Sequence, residues 1–277
     1  MVNSVSFNRP KHFDLDLIFD CGQSFRFVKS SECSYSGIAY GKAVDFIQDD
    51  DKITIVGADE CEFESIWKKY LALDLDYSAL RNEILSSRPD DEVLKTAMEF
   101  GSGIRLLRQE KWETLCSFII SQNNNIPRIR SLVEALSREY GDKIESYSVG
   151  DFYSFPSAER VAEIGIDKLR ELKVGFRAPY IHDAATKVAS GEIDLEALDE
   201  LPTDELLSAL MSIKGVGLKV ASCVALFAYG RLDCFPIDVW VKRVLEKYYP
   251  DGFDHTALPN TAGLVQQYLF YYERFRQ

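Results

Sequence analysis

The chain has 277 residues, 46% of them hydrophobic and 27% charged, close to ordinary globular values, so a disordered or fibrous protein is excluded. No apolar run reaches the roughly 18 residues of a spanning helix, and residues 1–10 show no charged segment leading into a long apolar stretch, so a cytoplasmic protein without membrane contact is expected. A net charge of −12 argues against a nucleic-acid or membrane partner held by overall electrostatics.

The charge is uneven. Residues 1–100 carry 11 Lys and Arg against 19 Asp and Glu, and residues 101–277 carry 21 against 25. An anionic ligand therefore belongs to the second part, where Arg105, Arg108, Lys111, Arg128 and Arg130 outnumber Glu110 and Glu113. So small a patch is equally consistent with a solvated face. Six cysteines (Cys21, Cys33, Cys61, Cys116, Cys223, Cys234) include no Cys-x-x-Cys pair, and the three histidines lie far apart. Reduced thiols are expected, with neither zinc nor an iron–sulfur cluster.

In chain order, alternating segments predict strands at Phe25–Val28, Tyr35–Ile38, Lys42–Gln48 and Lys52–Val56, joined through Gly41 and Asp49–Asp51. Helices follow near Glu60–Leu71, Tyr77–Ser86 and Asp91–Phe100, until Gly101-Ser-Gly103 interrupts the pattern. From Arg105 the period is helical: Trp112, Leu115, Cys116 and Ile119 share one face, as do Ile129, Leu132, Val133 and Leu136 after Pro127. Further helices are signalled at Ser157–Ile164, Asp167–Lys173, Pro179–Ser190, Thr203–Ile213, Leu218–Tyr229, Asp238–Tyr248 and Thr261–Phe275. The expected class is α+β: an antiparallel sheet domain with helices over residues 1–103, then an all-helical domain over 104–277.

Thr203 is read as the cap of a helix running into Ile213-Lys-Gly-Val-Gly-Leu-Lys219, with a second helix beyond it, so residues 203–229 form a helix-hairpin-helix. Gly215 and Gly217 allow a tight turn around Val216, whose backbone N–H groups can approach a phosphate. Alone, this spacing fits a plain connector equally well. Lys219, however, is a cation in an otherwise apolar helix, and Asp238 stands as N-cap of the next one, where N–H groups keep its carboxylate ionised. A snorkelling lysine and a simple cap would look the same, yet together they suggest a nucleophile and an electrostatic stabiliser.

Six segments, in order, resemble the 8-oxoguanine DNA glycosylases of the helix-hairpin-helix superfamily. They are Cys21-Gly-Gln-Ser-Phe-Arg26, Ser121-Gln-Asn-Asn-Asn-Ile-Pro-Arg128, Gly175-Phe-Arg-Ala178, Gly215-Val-Gly-Leu-Lys-Val-Ala221, Phe235-Pro-Ile-Asp238 and Gln266-Gln-Tyr-Leu-Phe270. The resemblance covers nearly the whole chain and implies a sheet domain, a helical domain in two lobes and an active site between them. It implies that Lys219 attacks the sugar and forms a Schiff base permitting strand cleavage, with Asp238 stabilising cationic sugar character. Gly22 would accept the proton that distinguishes 8-oxoguanine from guanine, Gln266 would bond the base edge, and Cys223 and Phe270 would sandwich the base. Asn123, Arg128 and Arg177 would hold the estranged cytosine, Phe176 would act as wedge, and Gly215, Val216 and Gly217 would bind phosphate. The implied partner is double-stranded DNA containing 8-oxoguanine, bound by a monomer without a cofactor, a hairpin-bound ion being the one candidate. Two positions depart from animal members: Phe176 stands in place of tyrosine and Trp240 in place of histidine, which points to a bacterial or archaeal branch. Alkyladenine-type glycosylases lack the hairpin lysine, adenine and thymine-glycol glycosylases usually carry a C-terminal four-cysteine cluster, and a non-catalytic hairpin module would not need Lys219, Asp238, Gln266 and Phe270 together.

Overall fold

A computed structural model describes residues 2–146 and 150–276. Near its start the chain forms one antiparallel sheet of β1 (Ser4–Asn8), β2 (Val28–Ser31), β3 (Ser34–Ala39), β4 (Lys42–Gln48) and β5 (Lys52–Val56), ordered β1-β5-β4-β3-β2. Val44 and Phe46 on β4 and Ile53 and Ile55 on β5 are fully buried, the alternation expected of a sheet with one covered face. Helix α1 (Leu15–Phe19) is capped by Asp14, whose Oδ1 accepts the Leu17 N–H at 3.1 Å. It lays Phe19 against Phe27 and Phe46, with ring centroids 4.5 and 5.4 Å apart. Trp67 and Tyr70 join this aromatic cluster from a helical stretch made of α2 (Glu60–Glu62), a π turn (Phe63–Trp67) and α3 (Lys68–Tyr70).

The sheet differs from expectation at two places. Edge strand β1 is additional: only Val5 of its residues is buried, too little alternation to signal a strand. The segment expected as a strand from Phe25 pairs only from Val28. Phe25 and Phe27 do turn inward, but here the chain crosses over β3, so closely that a Cβ on Gly37 would lie 2.6 Å from the Arg26 carbonyl oxygen.

The remainder is helical apart from one short ribbon. Asp76 and Asp91 cap α4 (Tyr77–Ser87) and α5 (Glu92–Phe100), and α6 (Lys111–Ser121) and α7 (Ile126–Tyr140) follow. The two-stranded ribbon β6 (Lys143–Ile144) and β7 (Phe152–Tyr153) interrupts the expected all-helical run. The span α8 (Ala158–Glu171) is two helices meeting at a kink at Gly165, φ +75°, as anticipated. After a 3-10 turn (Gly175–Arg177) come α9 (Ala178–Ala189), α10 (Thr203–Met211), α11 (Leu218–Tyr229), α12 (Val239–Tyr248) and α13 (Ala262–Phe275). Thr203 is the first residue of α10 and not its cap; Pro202 holds the cap position, without a side-chain bond. Helix α11 is buried from Val220 to Tyr229, and α4, α5 and α13 contribute Ile84, Leu94, Met98 and Leu269 to the same core. Among the described residues no helix is long and apolar enough to cross a membrane.

Arg105 ties the segment before α6 to the turn between α3 and α4. It is 2% exposed, donates to the carbonyls of Leu71, Ala72 and Leu75, and lies 3.9 Å from the Tyr77 ring centroid. Of the small basic patch read around it, Arg128 alone stays exposed without an ion pair among the described residues. Arg108 pairs with Asp74 at 2.7 Å, Lys111 with Glu196 and Asp199 at 2.6 and 3.2 Å, and Arg130 with Asp20 at 2.9 Å. Folding brings carboxylates from other segments onto cations that sequence order left unpaired. Replacing Arg105 by Met keeps much of the volume but leaves three carbonyls without their donor. We expect Arg105→Met to cost about 3 kcal/mol of unfolding free energy, read as a lower denaturant midpoint at constant m; an unchanged midpoint would show that the clamp contributes nothing.

Candidate active site

The hairpin between α10 and α11 needs glycine at its tip for two reasons. Gly215 has φ +78°, and a Cβ there would stand 2.4 Å from the Tyr180 ring on α9. From the same face of α9, Asp183 accepts the Lys214 N–H at 2.8 Å. Val216 is 5% exposed and plugs the turn into the core, so the hairpin offers an anion its backbone and not that side chain. Gly217 occupies the N-cap of α11 with no capping side chain, which leaves the first-turn N–H groups to meet a ligand.

Lys219, in that first turn, and Asp238, at the head of α12, line one open cleft of about 720 Å³. Lys219 is half-buried, with Nζ 5.6 Å from the Phe118 ring centroid. Asp238 Oδ1 accepts the N–H groups of Trp240 and Val241, each at 2.9 Å. This double cap fixes the carboxylate, and no ion pair within 4 Å joins it to Lys219 among the described residues. Cys223, one turn along α11, is buried beside both. Burial pushes its thiol up to about 11, a shift that Lys219 opposes and Asp238 reinforces.

Across the cleft the pocket is closed by the segment after α1. Gly22 has φ +84°, and a Cβ would lie 2.8 Å from Ile126 Cδ1 and 3.4 Å from Phe270 Cε1, so only glycine lets this backbone approach the Phe270 ring. Gln267 Nε2 holds the segment by donating to the Cys21 carbonyl at 2.8 Å. Gln266 is 4% exposed, lines the cleft, and its Oε1 is buried with no hydrogen-bond partner. A buried acceptor left unmade costs free energy, and in a cleft wall it marks the place where a ligand donor belongs.

The residues assigned to the opposite base gather on another rim, with one change of role. Asn123 is exposed and left-handed, φ +48°, a conformation asparagine tolerates better than most residues. Arg177 is 5% exposed and donates to the carbonyls of Gln122, Asn123 and Val174 at 2.8, 2.9 and 3.0 Å. In this conformation it clamps the loop and does not face outward, because the bent backbone of 122–123 presents carbonyls that need donors. Arg128 is exposed, with a single long bond of 3.4 Å to the Lys173 carbonyl. Phe176 is 51% exposed at the same rim, its ring 4.5 Å from the Arg177 guanidinium carbon.

Sequence reasoning passed over Arg274, which also lines the cleft; its one signal is the i+4 spacing from Phe270 on α13. Among the described residues no group of three or more His, Cys, Asp or Glu side chains could hold a metal ion.

Two family descriptions match this chain in succession: the N-terminal domain of 8-oxoguanine DNA glycosylase over residues 6–115, and the HhH-GPD superfamily of base excision DNA repair proteins over residues 116–257. The N-glycosylase/DNA lyase of Saccharomyces cerevisiae is 32% identical over 256 residues, spanning 84% of this chain and 67% of that protein. The solved structure of MBOgg1 in complex with a low-affinity DNA ligand superposes with a TM-score of 0.92 at 40% identity, covering 99% of this chain and 98% of that one. The 8-oxoguanine glycosylase/lyase of Clostridium acetobutylicum, solved with double-stranded DNA containing cytosine opposite 8-oxoguanine, gives 0.91 at 35% identity over 100% and 98%. The chain is a base excision DNA repair enzyme of the helix-hairpin-helix superfamily and belongs to its 8-oxoguanine DNA glycosylase family.

Proposed function

We propose that this enzyme excises 8-oxoguanine from duplex DNA, with cytosine as the preferred opposite base, and then cleaves the strand at the abasic site. The observation that carries this reading is the buried, partnerless Gln266 Oε1, in a cleft that Lys219 and Asp238 share. The extruded base enters between Cys223 and Phe270, Gln266 accepts a hydrogen bond from its edge, and the Gly22 carbonyl accepts the N7 proton that guanine lacks. These contacts offset the few kcal/mol that extrusion costs. The hairpin backbone at Gly215, Val216 and Gly217 takes a phosphate, Phe176 fills space in the stack, and Arg128 with Asn123 reads the estranged base while Arg177 holds their loop. Every one of these groups comes from a single chain, which supports action as a monomer.

In the chemical step, the free amine of Lys219 attacks the sugar C1′ as the bond to the base breaks, and that electron pair leaves with the base. Asp238 stabilises positive charge on the sugar throughout. Opening of the ring gives a protonated Schiff base, and loss of a C2′ proton then expels the 3′ phosphate.

Lys219→Gln is expected to abolish base release and borohydride trapping at an unchanged melting temperature, since the amide cannot attack carbon; normal strand cleavage by this variant would defeat the assignment. Asp238→Asn retains the cap and loses the charge, so the single-turnover rate should fall by about 100-fold or more while unfolding free energy moves by less than about 1 kcal/mol. A destabilised but fully active variant would make Asp238 purely structural. Arg128→Ala should erase about 1–3 kcal/mol of preference for cytosine, measured as excision rates opposite each of the four bases. Equal loss on all four would reduce Arg128 to a phosphate contact.

A further inference from the structure

One cation in the cleft takes no part in the reading above. Arg274 lies one turn beyond Phe270 on α13 and faces the head of α12. Its guanidinium carbon is 5.8 Å from the Phe270 ring and 5.8 Å from the Trp240 ring, and Arg243 lies 4.7 Å from the same Trp240 ring. Among the described residues Arg274 makes no ion pair and no hydrogen bond, and Asp238 is not within 4 Å of it. Two cations near it are engaged: Arg276 pairs with Glu273 at 2.7 Å and Lys242 with Glu246 at 3.7 Å.

A guanidinium carries five N–H donors. Phe275 at 5.2 Å and Phe270 and Trp240 at 5.8 Å surround it, and with no hydrogen bond made among the described residues its donors can meet an oxyanion with two parallel hydrogen bonds. Burial lowers the pKa of Arg274 and the charge of Asp238 raises it, but arginine stays charged at any working pH. The chain as a whole is strongly acidic, so a half-buried arginine, unpaired among the described residues and lining the cleft that holds Lys219, is not explained by solubility or by packing alone. Apart from the lesion, what DNA brings to this lip is its phosphates.

We propose that Arg274, held against Trp240 and Phe270, grips a phosphodiester oxygen of the strand that carries the extruded nucleotide. This rests on the reading that DNA occupies the cleft.

The test uses the full-length enzyme, its Arg274→Gln and Arg274→Lys variants, and a duplex carrying an uncleavable abasic-site analogue. For Arg274→Gln the slope of log K against log salt should become shallower by about 0.9, the increment for one phosphate, and Arg274→Lys should keep the wild-type slope. In a second measurement, single phosphates flanking the site are replaced by neutral methylphosphonates. Wild type should lose affinity at one position where Arg274→Gln shows no further loss. An unchanged slope, or losses that add at every position, overturns the proposal. So does a wild-type slope joined to a fall in the single-turnover excision rate on a separate, saturating 8-oxoguanine duplex, which would mean that Arg274 acts on Asp238 instead. Failure of the wild type to bind the duplex would sink the DNA reading as well, whereas intact wild-type binding with an unchanged slope rejects Arg274 alone.

Discussion

The amide of Gln267 on α13 donates to the carbonyl of Cys21, 246 positions away in sequence, and the pocket depends on that bond. Residues 21–23 belong to neither sheet nor helix, so side chains must satisfy their polar groups. Gln23 answers the same need from the other direction: its amide donates to the carbonyls of Ile18 and Arg105, each at 2.8 Å, and accepts the Leu107 N–H at 2.9 Å. Both glutamines are at most 2% exposed. Stitched on both sides, the loop sets Gly22 against the Phe270 ring.

Charge is arranged by the same logic of local completion. The chain is acidic, yet the cleft is not an acidic surface, because many carboxylates are drawn onto cations elsewhere: Asp20 onto Arg130, Asp74 onto Arg108, Glu196 and Asp199 onto Lys111. Among the described residues, what remains around the cleft is a short list of groups without ion-pair partners, Lys219, Arg274 and a carboxylate tied into a helix cap. A local field of this kind discriminates by position within a few ångströms, where a uniformly basic face would attract any polyanion.

The parts of this enzyme that could be read from sequence are those whose chemistry is local. Gly215, Gly217, Lys219 and Asp238 declare themselves through a hairpin and a cap, structures determined by neighbours a few residues away. The helix positions followed from local apolar periodicity, whereas Thr203, read as a cap, lies inside α10. Arg105 and Arg177 were illegible because an arginine in a sequence looks the same whether it meets water or a ring of carbonyls from segments 30 to 55 residues distant. Arg274 and Arg276 differ by two positions, and only the folded chain shows that one is paired and the other is not. The strand misplaced at Phe25 failed similarly: alternation reports which side chains turn inward and says nothing about whether the backbone finds a partner.

Cys223 gives the pocket a property of another kind. A thiol reacts with peroxide through its thiolate. With the pKa lifted to about 11 by burial, fewer than about one sulfur in a thousand is ionised near neutral pH. On the proposed reading, in which Cys223 walls the base pocket, burial there disfavours the thiolate that an oxidant would attack. The packing that buries Cys223 in this cleft thus also holds its thiol in the protonated form.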